Sequence, residues 1–546
     1  MRQFIFISLI SILSATIGYC QLPSFAWVNN GGDASIMKIK TTSAGDYIAV
    51  GIFAGTVDFD PGSGSSTYSS NSGSLDIFIK KISASGNLLW VRIIGGSGDD
   101  YAGDIFIDAS GKIYITGGFY GTVDFDPGTG TSNLTSTNGS SDIFMLRLSV
   151  AGNFSIVKKF GGNGDAHGEN ISADATGNIF ISGSFSNDTI SFGTTTISGI
   201  GYNCFIAKLT DTGVPSWAYT IPVYTAYDMV LDNNSNVYMT GGFFGGNIDF
   251  DPGVGTYFLG AGIGEAAYIL KLSSNGTFVW ANKYMVYGYN DEGKTLGLLS
   301  SGEVILGMDF QPNMLTTEEG YVIAKINPST GVSIWWNEIN NPVAYPTATV
   351  KDMVIDAADN IHYTGSYSGG FYAAGAWNSF VQADIFLGGY TSAGSPTVGF
   401  TIGYTDFNDC SALTIDASGG IVLCGVFSAT LDFNFSPFAV NSLTPVGTED
   451  NFILKLQQST TNLINTVQEN QNKLLAFPNP FENQFVLVTK DCATNSTIEI
   501  QDIAGRIIYH TPKNVSLNML EINTSEWQNG IYFLRRDEQC IKLIKQ

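Results

Sequence analysis

Three pairs of aspartates stand two residues apart in a recurring "VDFDPG" motif. The pairs are Asp58 and Asp60, Asp124 and Asp126, and Asp249 and Asp251. Side chains two apart on a strand share a face, and carboxylate oxygens are preferred ligands of Ca²⁺, so the spacing permits a calcium site. A calcium loop normally supplies six or more oxygens, however, and the Pro-Gly after each pair is typical of a turn that ends a strand. Calcium is therefore one interpretation and a backbone turn is the other.

A second group of acidic residues lies in three glycine-rich loops. The loops are "GGSGDDYAGD" (95–104), "GGNGDAHGEN" (161–170) and "YGYNDEGK" (287–294). Their candidate ligand-binding residues are Asp99, Asp100, Asp104, Asp165, His167, Glu169, Asp291 and Glu292. Loops carried on rigid strands often hold binding groups. We therefore expect an extracellular ligand, a glycan or a protein, to bind at these loops.

The sequence offers little for catalysis. Its three histidines are His167, His362 and His510, and it contains no GxSxG, HExxH or phosphate-binding loop. His167, beside Asp165 and Glu169, is the one histidine in a candidate loop, and a solvated side chain is the simpler interpretation. We therefore expect no enzyme and no cofactor other than a potential calcium ion.

Composition indicates the fold class. The chain of 546 residues is 13% charged, has 64 glycines and carries a net charge of -23. Soluble domains average about 25% charged residues and roughly 7% glycine. Few charged residues, many glycines and 13% aromatic residues favour short strands joined by tight turns, so we expect an all-β protein. The negative charge excludes nucleic acid as a partner, because phosphate binding needs Lys and Arg.

The N-terminus predicts export. Arg2 precedes an apolar run that is too short for a membrane span, and small residues follow it, so residues 1–20 are interpreted as a signal peptide. A lipoprotein site at Cys20 is the alternative. We expect no transmembrane segment in the mature chain. Among the remaining cysteines, Cys410 and Cys424 flank a predicted turn, where either a disulfide or two buried thiols would fit.

Seven repeats occupy the middle of the chain. Each contains a fragment such as "TGGF", and the repeat glycines are Gly51, Gly117, Gly183, Gly241, Gly307, Gly365 and Gly425. Their spacings are 66, 66, 58, 66, 58 and 60 residues. The fullest repeat reads as four strands, A to D, with an aspartate at the A-to-B turn and often a tryptophan in strand D. Four-stranded sheets repeated in this way predict a β-propeller.

The phase of the repeats predicts how the propeller closes. The seventh repeat ends after strand C near Gln457, and "SFAWVNNGG" (24–32) matches the D-strand pattern "NLLWVRIIGG" (87–96). We therefore expect residues 24–31 to form the outer strand of the last blade. The predicted fold is a seven-bladed β-propeller over 21–457, a linker over 458–472 and a small β-sandwich over 473–546.

The last residues resemble a known family. They contain "FPNPF" (477–481), "QDIAGRIIYH" (501–510), "SEWQNGIYFLRR" (525–536) and "IKLIKQ" (541–546), in this order. The combination resembles the type IX secretion C-terminal sorting domain of Bacteroidetes. The resemblance implies that residues 473–546 bind the type IX secretion machinery and direct the chain across both membranes, to the cell surface or the medium.

The glycine-rich "DFDPG" repeats likewise resemble those of exported Bacteroidetes proteins. Together these features predict an exported, non-catalytic propeller that serves in binding or adhesion. The alternative is a propeller hydrolase or lyase that acts on an extracellular polymer. Fold alone does not decide between them.

Overall fold

Strands account for nearly all regular structure in the chain. A computed structural model describes residues 23–186, 189–286, 290–311, 319–341, 347–368, 371–373, 376–378, 384–403, 407–434, 440–457, 474–477, 484–489, 498–503, 505–510, 519–536 and 539–545. Within these ranges there are 47 strands, one 3₁₀ turn (Asn71–Gly73) and no α-helix, which confirms the all-β prediction. The expected signal peptide and linker lie outside the described residues.

The repeats fold as four-stranded antiparallel units, and the first strand, β1 (Ser24–Asn30), belongs to the last of them. Unit 1 comprises β2 (Ala34–Thr41), β3 (Tyr47–Phe53), β4 (Thr56–Asp58), β5 (Thr67–Ser69), β6 (Asp76–Ile82) and β7 (Leu88–Gly96). Unit 2 comprises β8 (Asp100–Ile107), β9 (Ile113–Phe119), β10 (Thr122–Asp124), β11 (Asn133–Thr135), β12 (Asp142–Leu148) and β13 (Phe154–Phe160). Unit 3 comprises β14 (Ala166–Ala173), β15 (Ile179–Ser186), β16 (Thr189–Phe192), β17 (Thr195–Ser198), β18 (Tyr202–Leu209) and β19 (Pro215–Ile221).

The later units follow the same plan. Unit 4 comprises β20 (Asp228–Leu231), β21 (Val237–Phe244), β22 (Ile248–Asp249), β23 (Phe258–Leu259), β24 (Glu265–Leu272) and β25 (Phe278–Tyr284). Unit 5 comprises β26 (Asn290–Leu298), β27 (Val304–Gln311), β28 (Glu319–Ile326) and β29 (Ser333–Asn341). Unit 6 comprises β30 (Thr347–Ile355), β31 (Ile361–Ser368), β32 (Phe371–Ala373), β33 (Ala376–Asn378), β34 (Asp384–Tyr390) and β35 (Pro396–Ile402). Unit 7 comprises β36 (Asn408–Ile415), β37 (Ile421–Phe427), β38 (Leu431–Asp432), β39 (Ser442–Leu443), β40 (Asp450–Gln457) and β1.

In each unit the four long strands lie in the order A, B, C, D. A short hairpin follows strand B along the chain and precedes strand C in every unit except unit 5, whose B-to-C connection lies outside the described residues. The innermost A strands of successive units contact one another, and β36 of unit 7 contacts β2 of unit 1. Sheets repeated around their A strands form a β-propeller. At the end of the repeats, β1 pairs antiparallel with β40, with Trp27 opposite Lys455 and Asn30 opposite Phe452.

The repeat glycines permit close packing of strands A and B. A Cβ built on Gly51 would lie 2.0 Å from the Ser35 carbonyl oxygen, and one on Gly117 would lie 1.9 Å from that of Tyr101. A strand A carbonyl oxygen would likewise lie 1.9 to 2.0 Å from a Cβ built on Gly183, Gly241, Gly365 or Gly425. A side chain at these positions would push strand A away from strand B. Gly307 is the exception, because its nearest neighbour is the Thr295 side chain at 2.7 Å.

The predicted A-to-B turns are confirmed. One Oδ atom of each turn aspartate accepts the backbone N–H groups two and four residues ahead, as Asp108 does from Ser110 and Lys112. The other members are Asp174, Asp232, Asp356 and Asp416. The tryptophans also lie in D strands as predicted, and several bond the next unit. Trp280, for example, donates its indole N–H to the Pro328 carbonyl at 3.0 Å.

Cys410 and Cys424 are buried free thiols rather than a disulfide. The two side chains belong to different hydrophobic clusters. Cys424 packs with residues of unit 1, such as Ile36, whereas Cys410 packs with residues of unit 6, such as Ile385. They therefore lie on opposite faces of the same sheet, where no bond between them can form without rearrangement.

The C-terminal residues form two further sheets. Their strands are β41 (Leu474–Phe477), β42 (Gln484–Thr489), β43 (Glu499–Asp502), β44 (Ile507–His510), β45 (Met519–Asn523), β46 (Gly530–Arg536) and β47 (Gln539–Lys545). One sheet has the order β41-β42-β45 and the other β44-β43-β46-β47. Ile522 of the first sheet and Leu534 of the second share one hydrophobic cluster, against which Trp527 packs. This arrangement is the small β-sandwich expected for the sorting domain.

A buried polar pair joins unit 1 to unit 7. Lys80 is 2% exposed and donates from Nζ to Asn451 Oδ1 at 3.0 Å. Burial lowers the pKa of Lys80 to about 8. In other units, the strand C residue that aligns with Lys80 is apolar, namely Leu146, Ala207, Leu270 and Leu454. The residues that align with Asn451 are also apolar, namely Ile77, Ile143, Cys204 and Ala267. The two polar residues therefore replace apolar residues as a matched pair.

This pair predicts that the stability lost on replacing either residue depends strongly on whether the other is present. Lys80→Met should destabilise the fold by about 1–3 kcal/mol, because it leaves Asn451 Oδ1 buried without a donor. Asn451→Leu should cost more, because it leaves a buried ammonium unpaired. The double variant should recover most of the loss, since both partners are then apolar. Urea unfolding of the four proteins measures this coupling, and additive losses would contradict it.

Asp100 predicts a pH dependence of stability. Its side chain is 0% exposed and accepts N–H groups of Gly96 and Tyr120. Burial nevertheless raises its pKa to about 7, against about 3.9 in an unfolded chain. Between these values the folded state holds a proton that the unfolded state has lost, so stability falls as the pH rises from about 4 to 7.

We therefore expect a smaller pH-dependent loss of unfolding free energy in Asp100→Asn than in the native chain. Urea midpoints at pH 5 and pH 8 measure the difference. Asp33→Asn is the matched control, because Asp33 is exposed. Equal pH dependence in native protein and Asp100→Asn would contradict the assignment.

Candidate functional site

The candidate loops and the hairpins emerge from one end of the sheets. Strand A begins where strand B ends, because the two are antiparallel. The D-to-A connections and the B-to-C hairpins therefore lie at the same end, which we call the D–A end. All three predicted loops belong to it, although residues 287–289 of the third lie outside the described residues.

The first loop uses its carboxylates to hold backbone. Asp99 Oδ1 accepts the Leu75 N–H at 3.0 Å, and Asp100 is buried as described above. Asp104 lies within β8, where it accepts the N–H of Ile105 and, at 3.1 Å, that of Ile171 in unit 3. The structure therefore separates these three aspartates, and only Asp99 is exposed.

The second loop forms a polar recess. Asp165 Oδ1 accepts the Ser141 N–H at 2.9 Å and the Tyr120 hydroxyl at 3.2 Å. His167 Nδ1 lies 3.4 Å from Ser141 Oγ, and burial lowers the pKa of His167 although Asp165 opposes the shift. Burial also raises the pKa of Glu169 to about 7. A cavity of about 630 Å³ opens beside Asp165, with lining residues that include Asn138, Ser140, Asn163 and Ser186.

The third loop brings together charges from units 4 and 5. Asp291 is fully buried and accepts the Val286 N–H at 2.9 Å. Glu292 accepts the Tyr227 hydroxyl at 3.1 Å and forms an ion pair with Lys294. The Lys294 ammonium lies 3.9 Å from the centre of the Tyr227 ring. Asp291 therefore supports the loop, whereas Glu292 belongs to a partly exposed polar group.

Glu265 completes this polar group from unit 4. Strand C of most units begins with a buried carboxylate that anchors its own loop, as Asp76 does by accepting the Asn71 N–H at 2.8 Å. In unit 4, Ala266 takes that register position and Glu265 stands one residue earlier. Glu265 is 2% exposed, and its Oε1 has no hydrogen-bond partner among the residues that the structure describes. Burial, with the nearby charge of Glu292, raises the pKa of Glu265 to about 8.

Three exposed aromatic rings lie at the same end. Tyr202, Tyr224 and Phe244 are 67%, 49% and 47% exposed. The Tyr224 ring centre lies 5.6 Å from that of Tyr202 and 5.8 Å from that of Phe244, both in edge-to-face contact. We call these three residues the aromatic group. They come from unit 3, the connection to unit 4, and the end of β21.

The "DFDPG" aspartates bind backbone. Asp58 Oδ1 accepts the N–H groups of Asp60 and, at 2.7 Å, of Ser66, and this second bond is the main cause of a lowered pKa at Asp58. Asp60 Oδ1 accepts the Gly62 N–H at 2.8 Å. The pairs Asp124 with Asp126 and Asp249 with Asp251 repeat this pattern. Among the residues that the structure describes, no three His, Cys, Asp or Glu side chains lie close enough to hold a metal.

An axial cavity of about 290 Å³ lies among the A strands. Lys38 of unit 1 projects into it, 3.9 Å from Asp352 of unit 6, and Asp104 and Asp228 also line it. Burial alone would lower the pKa of Lys38, but attraction by Asp352, Asp104 and Asp228 raises it above its usual value. Each of these aspartates also accepts the N–H of an A strand in the next unit, as Asp228 does from Leu296 at 2.7 Å. The charges of the cavity thus hold neighbouring units together.

Sequence reasoning missed both the aromatic group and the acid of unit 4. Glu265 had a detectable signal, since aligning the C strands residue by residue places alanine where an aspartate is usual. Lys38, Asp228 and Asp352 could have been found by alignment of the A strands, because each pairs with the residue that precedes a repeat glycine. Tyr224 belongs to a connection without a repeated motif and carried no signal.

Comparison with known proteins identifies the C-terminal region. Residues 475–546 match the family model of the secretion system C-terminal sorting domain. An uncharacterized WD repeat-containing protein of Acanthamoeba polyphaga mimivirus is 22% identical over 280 residues, which cover 44% of this chain and 20% of that protein. The chain thus spans only a fifth of this relative's length.

Several solved structures resemble the chain at low identity. The quinohemoprotein alcohol dehydrogenase of Comamonas testosteroni is 11% identical, covering 79% of this chain and 76% of that chain, with a TM-score of 0.39. PorZ, a surface component of the type IX secretion system of Porphyromonas gingivalis, is 11% identical, covering 95% and 99%, with a TM-score of 0.18. The propeller assignment rests on the sheet order rather than on these likenesses.

Export follows from the sorting domain. In the described part of the chain, no helix has the length and apolar character needed to cross a bilayer. The sorting domain implies interaction with the type IX machinery. The chain is thus a β-propeller protein with a type IX secretion sorting domain, exported to the cell surface or the medium.

Proposed function

We propose that the chain is a non-catalytic binding or adhesion protein that uses the D–A end of its propeller to hold an extracellular glycan or protein. One observation carries the proposal: exposed aromatic rings and a partly exposed polar group meet at this end, on loops that buried carboxylates anchor to rigid strands. Loops positioned in this way are the usual carriers of binding groups. By contrast, the carboxylates of Asp100, Asp104 and Asp291 accept backbone N–H groups.

The proposed scaffold is a closed propeller of seven blades over residues 21–457. Support comes from seven four-stranded units among the described residues, from the contact of β36 with β2, and from the pairing of β1 with β40. Strand β1 covers the edge that β40 would otherwise expose to solvent. A closed ring would hold the D–A loops in a fixed relation around one mouth.

A hydrolase or lyase acting on an extracellular polymer is the alternative function. The pair formed by Glu265 and Glu292 favours it, because one acid is neutral near pH 7 while the other is paired with a lysine. Two carboxyl groups of unequal pKa are the arrangement that general acid and base catalysis uses. His167 is the second candidate, on the neighbouring loop.

A binding assay with a turnover readout separates the two functions. The purified mature chain should bind one or more ligands on an array of glycans and extracellular proteins, and should leave a bound polymer intact over hours. Product release that Glu265→Gln or His167→Ala abolishes would instead establish the enzyme. Absence of any bound ligand on the array would contradict the binding function.

We also propose that the "DFDPG" aspartates serve the backbone rather than calcium. Asp58, Asp124 and Asp249 already bond two N–H groups each, and a calcium ion would need several further oxygens. Millimolar CaCl₂ should therefore produce no binding heat in calorimetry and no shift in Tm. A saturable heat that Asp124→Asn removes would establish a calcium site instead.

A further inference from the structure

The aromatic group is unusual because nothing in the described fold covers it. Many other aromatic rings of the repeats fill the space between sheets, as Tyr268 and Phe250 do at 0% exposed. Tyr224 instead lies between Tyr202 and Phe244 with about half its surface in solvent. Clustered exposed aromatic rings mark interaction sites rather than structural ones.

A short series of contacts connects the aromatic group with the polar group of units 4 and 5. Tyr224 precedes Thr225, whose hydroxyl accepts the Gly242 N–H at 2.8 Å. Gly242 in turn faces Glu265, because a Cβ built there would lie 2.0 Å from Glu265 Oε1. Tyr227, on the same connection, donates its hydroxyl to Glu292. The aromatic group and the partly exposed Tyr227, Glu292 and Lys294 therefore form one surface, and Glu265 is buried next to Gly242.

The exposed charges of this surface form an ion pair. Lys294 is positive, Glu292 is its negative partner, and Glu265 is mostly protonated below a pKa of about 8. Lys294 also occupies one face of the Tyr227 ring, where a cation from a ligand would otherwise bind. The net charge of -23 on the chain disfavours anionic ligands. These features favour a neutral ligand with both an apolar face and hydroxyl groups.

We propose that this surface binds a neutral carbohydrate chain, with a sugar ring stacked on Tyr224 and its hydroxyl groups bonded by Glu292 and Lys294. The C–H face of a pyranose is apolar and matches an aromatic ring, whereas its rim offers donors to a carboxylate and acceptors to an ammonium group. Tyr202 and Phe244 lie on either side of Tyr224 and extend the contact to further sugars. The assignment rests on the proposed binding function and gives its ligand class.

Affinity electrophoresis of the mature chain tests this site. The gels contain mixed-linkage β-glucan, mannan or arabinogalactan as neutral polymers, with alginate as the anionic polymer. At least one neutral polymer should retard the native chain, and alginate should not. Tyr224→Ala should weaken binding about tenfold, the factor that corresponds to loss of one favourable stacking contact. Glu292→Gln, which keeps the shape of the side chain, should also weaken binding.

Phe258→Ala is the matched control. Phe258 is 56% exposed in β23, within unit 4 but on the hairpin, and its variant should bind like the native chain. Circular dichroism and Tm establish that each variant is folded.

Three results would overturn the inference. If a neutral polymer binds but Tyr224→Ala and Phe258→Ala behave alike, carbohydrate binds elsewhere and the proposed function survives. If no neutral polymer binds while the array yields a protein ligand, the ligand class is wrong and the binding function again survives. Absence of any ligand in both assays would remove the inference and the proposed function together.

Discussion

The fold depends on the pairing of β1 with β40, which joins residues at opposite ends of the repeats. Without β1, the outer edge of β40 would present unpaired N–H and C=O groups to solvent. The contact also extends beyond backbone pairing. Trp27 donates its indole N–H to Ala84 of unit 1, and Asn451 bonds both Lys80 and Gly32. Side-chain bonds as well as backbone pairing therefore hold the first and last units together.

Buried polar groups in this protein have two different roles. Where a carboxylate accepts hydrogen bonds from several donors, those bonds stabilise its charged form. Burial alone would raise the pKa of Asp416, but Lys455, Ser418 and Gly420 lower it below its usual value. Where the donors are few, the neutral form is favoured, as at Asp100, Glu169 and Glu265. The first kind fixes turns, and the second kind lies at the D–A end.

The sequence was sufficient to predict the strands and their order because the signals are local. Each repeat contains a glycine that leaves room for the strand A carbonyl. It also contains an aspartate that accepts the N–H groups ahead of it. Because both recur at fixed spacing, the strands of each repeat can be predicted from that repeat alone. The phase of the repeats also indicated the partner of residues 24–31. The site was harder to predict, because Tyr202 of unit 3, Tyr224 of the next connection and Glu292 of unit 5 are far apart in the sequence. Residue type alone favours Asp104 and Asp291 as ligand-binding candidates, yet their carboxylates accept backbone N–H groups.

Departures from the repeat are therefore more informative than the repeat itself. A position that holds an apolar residue in several units and a lysine in one, as at Lys80, requires a local partner, and Asn451 is that partner. The same reasoning applies to unit 4, where Ala266 replaces the loop-anchoring aspartate and Glu265 stands one residue earlier. Successive side chains of a strand face opposite sides of the sheet. This shift of one residue turns the carboxyl away from its own loop and towards Glu292 of unit 5. An acid that no longer anchors its loop thus becomes a buried neighbour of Glu292, which belongs to the proposed binding surface.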